Sequence, residues 1–374
     1  MAVVPMQKKP TPTTRRERAI SPFDLFLLIL TIFEVLLLVV VLSRSFVAST
    51  SSAEPPNDQE TQSQPPSTDN EPQNSKPVFS QGVLPTRPAS NADTVTLTNL
   101  LNSEYAVLID AETGIILAQK GADVSFSPAS MTKVMTLVVA CEQLTEADLD
   151  RKLPLTEEIY RYVTSGDYKG TETALPLESN GFSCLGDTYT IRDLLYGIGV
   201  MSAADCTYMI AKEVAGSEAA FVAMMNDKAA ELGLTDTLFN NAVGFASEEN
   251  VTTAVDMAML MDYAMQSSLI ADILLPREKS LSINAHYVQD GVEKTYPVQL
   301  KPSWLSRINK YPAFQLTSVQ LNAVKTGYTD ASFIVCSATG RQDGKQYIVV
   351  LGNAAKIKDT MTDLETIYNT YVAS

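Results

Sequence analysis

Ser130 and Lys133 stand three residues apart in Ser130-Met131-Thr132-Lys133. On a helix that spacing puts both side chains on one face, so the hydroxyl and the amine can meet. A serine hydroxyl is a poor nucleophile until a base takes its proton. A lysine serves as that base when burial and nearby positive charge lower its pKa. The preceding Ser127-Pro128 reads as a helix start, with Ser127 as cap and Pro128 at the first helical position. Ser130 would then sit at a helix N-terminus, where the dipole and free N–H groups favour a developing oxyanion. The run Val134, Met135, Leu137, Val138 and Val139 would bury the helix. A surface serine and lysine would show the same spacing, so this motif alone leaves both readings open.

A second group lies far downstream, in Lys325-Thr326-Gly327-Tyr328-Thr329, just before an apolar stretch over 332–339 that reads as a strand. A lysine and a hydroxyl at a strand edge can bind a carboxylate, and Gly327 leaves room for a substrate backbone beside the strand. The chain has one histidine, His286, inside a predicted strand over 280–288. A His-rich metal site and an H-E-x-x-H motif are therefore excluded, and a Ser-His-Asp triad would have to use His286. Any proton transfer is expected to use Lys, Asp, Glu or Tyr. Cys141, Cys184, Cys206 and Cys336 show no C-x-x-C spacing and are expected as buried free thiols. No metal and no cofactor is expected.

The elements that must position these groups begin well into the chain. Residues 1–22 form a basic tail carrying Lys8, Lys9, Arg15, Arg16 and Arg18. From Leu25 to Leu42 the chain is almost continuously apolar, broken by Thr31 and Glu34. That length nearly crosses a bilayer core, so 23–43 is expected as an uncleaved transmembrane helix, with a cytoplasmic N-terminus by the positive-inside rule. Residues 44–94, rich in Ser, Thr and Pro, are expected as a disordered linker, and 95–374 as one catalytic domain. Net charge is −15, and the positive charge clustered near the N-terminus leaves the body more acidic still, which repels nucleic-acid phosphates. The periodicity predicts strands over 104–110, 115–120, 332–339 and 346–351. Helices are predicted over 129–143, from Thr190, and over 205–214, 218–232, 253–265 and 359–371. Strands at both ends with helices between imply an α+β body whose sheet joins early and late strands.

Ser-x-x-Lys followed by Lys-Thr-Gly is the signature of penicillin-binding proteins and serine β-lactamases. The segment from Ser127 to Thr136 closely resembles the nucleophile segment of the D-alanyl-D-alanine carboxypeptidases. Asp193-Leu194-Leu195-Tyr196-Gly197 and Ala254-Val255-Asp256-Met257-Ala258 resemble later blocks of that family. The resemblance covers about residues 100–372. It implies the penicillin-recognising serine hydrolase fold (β-lactamase/transpeptidase-like), an antiparallel sheet flanked by helices. It also implies hydrolysis of the D-Ala-D-Ala bond of peptidoglycan pentapeptides and inhibition by β-lactams; taken with the N-terminal apolar span, it leads to the expectation of a single-pass protein of a bacterial cell membrane anchored by 23–43, with the catalytic domain outside. Carried over by residue, Ser130 is acylated, Lys133 activates it and Ser202 shuttles a proton to the leaving amine. Lys325 and Thr326 hold the terminal carboxylate beside Gly327, and the N–H groups of Ser130 and Tyr328 form the oxyanion hole. Two departures stand out. The family's Ser-x-Asn reads Ser202-Ala203-Ala204, and Asp359 stands where an arginine follows the last strand, with Lys356 and Lys358 as nearby substitutes. The first leaves room for a weakly active or inactive wall-binding relative, and a D,D-endopeptidase would use the same residues. A β-lactamase lacks support, because neither Ser-Asp-Asn nor a Glu-x-x-Leu-Asn motif is present.

Overall fold

The computed structural model describes residues 76–164, 172–176, 185–330 and 333–372. The basic tail, the expected anchor over 23–43 and the linker up to residue 75 lie outside the described residues, as does Cys184. Among the described residues no helix is long and apolar enough to cross a membrane.

Strands β1 (Ala89–Thr96), β2 (Tyr105–Asp110), β3 (Ile115–Lys120), β8 (Gln320–Thr329), β9 (Phe333–Gln342) and β10 (Lys345–Ala354) form a six-stranded sheet in the order β1-β3-β2-β10-β9-β8. The β1–β3 pair is parallel and every other pair is antiparallel. Early and late strands thus share one sheet, β10 pairing with β2 from Tyr347↔Asp110 to Gly352↔Tyr105. Both faces of its centre are covered. Val107, Ile109, Ile348 and Val350 pack into one core with α1 (Lys133–Gln143) and α6 (Ala254–Ala264). Ala106, Leu108, Val349 and Leu351 pack into another with Met361, Leu364, Ile367 and Tyr368 of α9 (Ile357–Tyr371). Alternate residues of a strand point to opposite faces. Burial on both sides therefore explains why these strands read as unbroken apolar runs.

Between the two halves of the sheet lie α2 (Glu157–Thr164), α3 (Ile191–Tyr196), α4 (Ala204–Ala215), α5 (Glu218–Glu231), α7 (Ser268–Leu274) and α8 (Ser303–Lys310). Among the described residues, four helices open on side-chain caps: Thr190, Ser217, Thr253 and Ser267 each accept a backbone N–H three residues on. A second, four-stranded antiparallel sheet joins β4 (Lys152–Pro154), β5 (Thr188–Thr190), β6 (Leu281–Gln289) and β7 (Val292–Leu300). Of these, only β6 is expected from periodicity.

Two expectations are corrected. Residues 76–94, expected as the end of the linker, are bound to the body. Val78 and Phe79 donate backbone N–H groups to Leu144 and Cys141 at 2.7 and 2.9 Å, and Phe79 is buried against Tyr263. Arg87 pairs with Asp256 at 2.7 Å, Asp123 at 3.2 Å and Asp236 at 3.3 Å. Strand β1 then runs along the sheet edge with mostly exposed side chains. Its polar composition is that of an edge strand held by backbone pairing, which composition cannot separate from a linker. Ser127 is not a helix cap either. A 3-10 turn over Ala129–Thr132 precedes α1, it has no side-chain cap, and the buried Ser127 hydroxyl has no hydrogen-bond partner.

Candidate active site

The nucleophile turn is a local strain point. Ala129 has φ +46°, a left-handed value uncommon for a residue with a Cβ. In the 3-10 turn that follows, residues three apart eclipse one another, which brings Lys133 Nζ to 3.0 Å from Ser130 Oγ. A long-range contact completes the pair, because Lys133 Nζ also donates to the Val243 carbonyl at 2.6 Å. The loop carrying that carbonyl is pinned. Asn241 accepts the N–H groups of Gly244 and Phe245 at 2.7 and 2.8 Å, and Thr136 of α1 donates to the Ala242 carbonyl at 2.7 Å. Gly244 has φ +81°, and a Cβ there would lie 1.8 Å from the Ala129 carbonyl oxygen. Only glycine allows this approach of loop to nucleophile turn.

Lys133 is 1% exposed. Burial pushes its amine down to about 7, partly opposed by the charges of Glu172 and Asp205. A lysine in that range is substantially neutral near pH 7 and can accept the Ser130 proton.

Ser202 comes from the other side. It ends a π-helical turn over Gly197–Met201 in the left-handed conformation, φ +65° and ψ +33°. Lys325 of β8 is fully buried and donates to Ser202 Oγ and to the Thr326 carbonyl, each at 2.8 Å. Thr326 is 3% exposed, and its hydroxyl has no hydrogen-bond partner. A buried hydroxyl without a partner is costly unless a ligand supplies one. Gly327, Tyr328 and Thr329 continue along β8, the edge strand of the sheet. Tyr328 is 58% exposed, and its hydroxyl donates to Asp330 at 3.0 Å.

These groups share one cleft of about 550 Å³, lined among others by Ser130, Lys133, Ser202, Thr326, Gly327 and Tyr328. Lys325 reaches it through Ser202. Every catalytic and binding residue expected from the sequence therefore converges. His286 does not. It lies on β6 of the smaller sheet, 3.4 Å from Glu293. Lys356 and Lys358, expected as substitutes for an arginine, do not line the cleft, whereas Arg307 of α8 does. Glu172 lines it too. Sequence reasoning missed both, since neither belongs to a motif; the only signal for Arg307 is a short amphipathic segment upstream of Lys325. Cys141 and Cys206 are buried free thiols, with burial pushing Cys141 up to about 12.

The family model described as D-alanyl-D-alanine carboxypeptidase matches residues 92–355. The chain belongs to that family. It is 28% identical over 257 residues to D-alanyl-D-alanine carboxypeptidase DacF of Bacillus subtilis, covering 69% of this chain and 59% of that protein. It is 30% identical over 247 residues to DacC of Escherichia coli, covering 66% and 55%. The chain thus spans little more than half the length of these curated relatives. The crystal structure of the Streptomyces K15 DD-transpeptidase has the same fold, with a TM-score of 0.60 at 23% identity over 72% of this chain and 96% of that one. The α+β architecture of sheets flanked by helices is therefore that of the penicillin-recognising DD-peptidases.

Proposed function

We propose that this protein is a serine-type D-Ala-D-Ala carboxypeptidase acting on peptidoglycan pentapeptides and acylated by β-lactams. The observation that carries the reading is the buried Lys133 amine, held near neutrality 3.0 Å from Ser130 Oγ. Neutral Lys133 takes the Ser130 proton as Oγ bonds to the penultimate D-Ala carbonyl carbon. The N–H groups of Ser130 and Tyr328 receive the oxyanion. The proton passes through Ser202 to the nitrogen of the terminal D-Ala, the C–N bond breaks, and Lys133 is neutral again to deprotonate the attacking water. The orphaned Thr326 hydroxyl, with Lys325 behind it and Arg307 on the cleft wall, suits the terminal carboxylate. Arg307 can present the planar fork that a lysine lacks.

The anchor over 23–43 places this domain outside a bacterial membrane, as the basic residues preceding it favour. Separating membrane and soluble fractions of the full chain and of a chain lacking residues 1–43 tests that placement; equal distribution of the two sinks it. The decisive assay is product analysis on a D-Ala-D-Ala pentapeptide. One equivalent of D-Ala is expected from the wild type and none from Ser130→Ala or Lys133→Ala. Cleavage of cross-linked dimers without release of D-Ala from the pentapeptide would instead establish an endopeptidase. Absence of both activities, and of penicillin labelling, in folded protein would overturn the enzyme reading.

A further inference from the structure

The third position of the family's Ser-x-Asn motif is Ala204, which is 1% exposed and lines the cleft without a polar side-chain atom. The chain is not merely poorer by one amide there. The Ala204 N–H donates to the Glu172 carbonyl at 2.8 Å. The strap that follows is fastened to the next residue of α4: the Asp205 carboxylate, fully buried, accepts the N–H groups of Ala174 at 3.1 Å and Leu175 at 2.9 Å. Ala174 and Leu175 are themselves buried. The backbone of Glu172 is thereby fixed against Ala204, while its side chain stands exposed in the same cleft as Ser130 and Lys133.

We propose that Glu172 supplies the polar contact that Ala204 lacks, its carboxylate facing the ammonium that Lys133 becomes when it takes the Ser130 proton. Glu172 acts through Lys133 and is a positioning residue. The neighbouring charges leave this task to it. Asp205 of α4 is engaged by the N–H groups of Ala174, Leu175 and Cys206. Glu218 of α5 is engaged by the Tyr162 hydroxyl and the Ala242 N–H, and Asp330 beyond β8 by the Tyr328 hydroxyl. Lys325 of β8 is engaged by Ser202 and the Thr326 carbonyl, and Arg307 of α8 brings a guanidinium, so neither supplies a negative charge. The Glu172 carboxylate has no hydrogen-bond partner among the described residues, and its charge is the first of the two carboxylates that favour protonated Lys133. A bound peptide excludes water from the cleft, which lowers the local dielectric and strengthens the attraction as the proton arrives.

The inference rests on the acyl-enzyme reading above. It is tested by the second-order rate of Ser130 acylation by a fluorescent penicillin between pH 5 and 9, in Glu172→Gln, Glu172→Ala and the double variant Glu172→Ala/Ala204→Asn. Glu172→Gln is expected to slow acylation at pH 8 by about tenfold. It is also expected to move the acid limb of the profile down by about one pH unit, because an attraction that favours protonated Lys133 is gone. The asparagine in the double variant is expected to restore most of the rate lost in Glu172→Ala. A Glu172→Gln profile that superimposes on the wild type overturns the proposal. So does a rate lowered equally at every pH with an unmoved midpoint, which is what a purely structural strap residue would give. Absence of labelling in the wild type, matching a Ser130→Ala control, would instead overturn the acyl-enzyme reading itself.

Discussion

Replacing Lys133 by methionine should separate catalysis from stability. The amine drops from an ordinary 10.5 to about 7 on burial, so the unfolded chain binds more protons than the folded one between those values. Burial therefore penalises the folded state fully below about pH 7, and the penalty fades as pH rises toward 10.5. At pH 7 it amounts to about 4 kcal/mol, and at pH 9 to about 2 kcal/mol. Lys133→Met removes it. The same change leaves the Val243 carbonyl, now 2.6 Å from Lys133 Nζ, without its donor, which costs about 1–3 kcal/mol. The variant is thus expected to be about 1–3 kcal/mol more stable than the wild type at pH 7 and to show no penicillin labelling. Urea unfolding of both proteins at pH 7 and pH 9 measures this, and groups common to both cancel in the difference. The stability gap should move by about 2 kcal/mol in favour of the wild type between the two pH values. A gap that does not change with pH would refute the assignment of Lys133 as a buried amine with a depressed pKa.

Three further outcomes follow from the same geometry. Acylation of wild-type Ser130 should fall about tenfold from pH 8 to pH 6, as Lys133 gains its proton; a rate flat across that window in stopped-flow labelling would contradict lysine as base. Gly244→Ala places a Cβ 1.8 Å from the Ala129 carbonyl at φ +81°, and should cost at least about 3 kcal/mol in denaturant unfolding or displace the nucleophile turn and abolish labelling. Arg307→Leu should raise KM for a peptide ending in a free carboxylate by about tenfold or more while a C-terminally amidated analogue is little affected; equal effects on both peptides would remove Arg307 from carboxylate binding.

Much of the site was legible because its chemistry is local. Ser130 and Lys133 meet through a three-residue spacing, and Lys325, Thr326 and Gly327 are consecutive on one strand. The caps Thr190 and Thr253 close hydrogen bonds within their own helices, so their positions follow from a few adjacent residues. The central strands declared themselves because burial on both faces demands apolar side chains without interruption. The polar strand β1 and the three-residue strands β4 and β5 did not, because neighbours distant in sequence supply their backbone hydrogen bonds.

The sequence by itself therefore determined the pairing of Ser130 with Lys133, the consecutive placement of Lys325, Thr326 and Gly327 on one strand and the order of the main helices, all of which depend on bond geometry and periodicity. Only the tertiary structure decided the Lys133 pKa, since burial depresses it while the Glu172 and Asp205 charges oppose the shift and the Val243 carbonyl accepts from the amine, and these three residues lie 39, 72 and 110 positions away in the chain. It likewise decided that the arginine in the cleft is Arg307 and that Glu172 lies beside the alanine where an asparagine was expected. These are long-range placements, set by which surfaces pack together, and no window of adjacent residues records them.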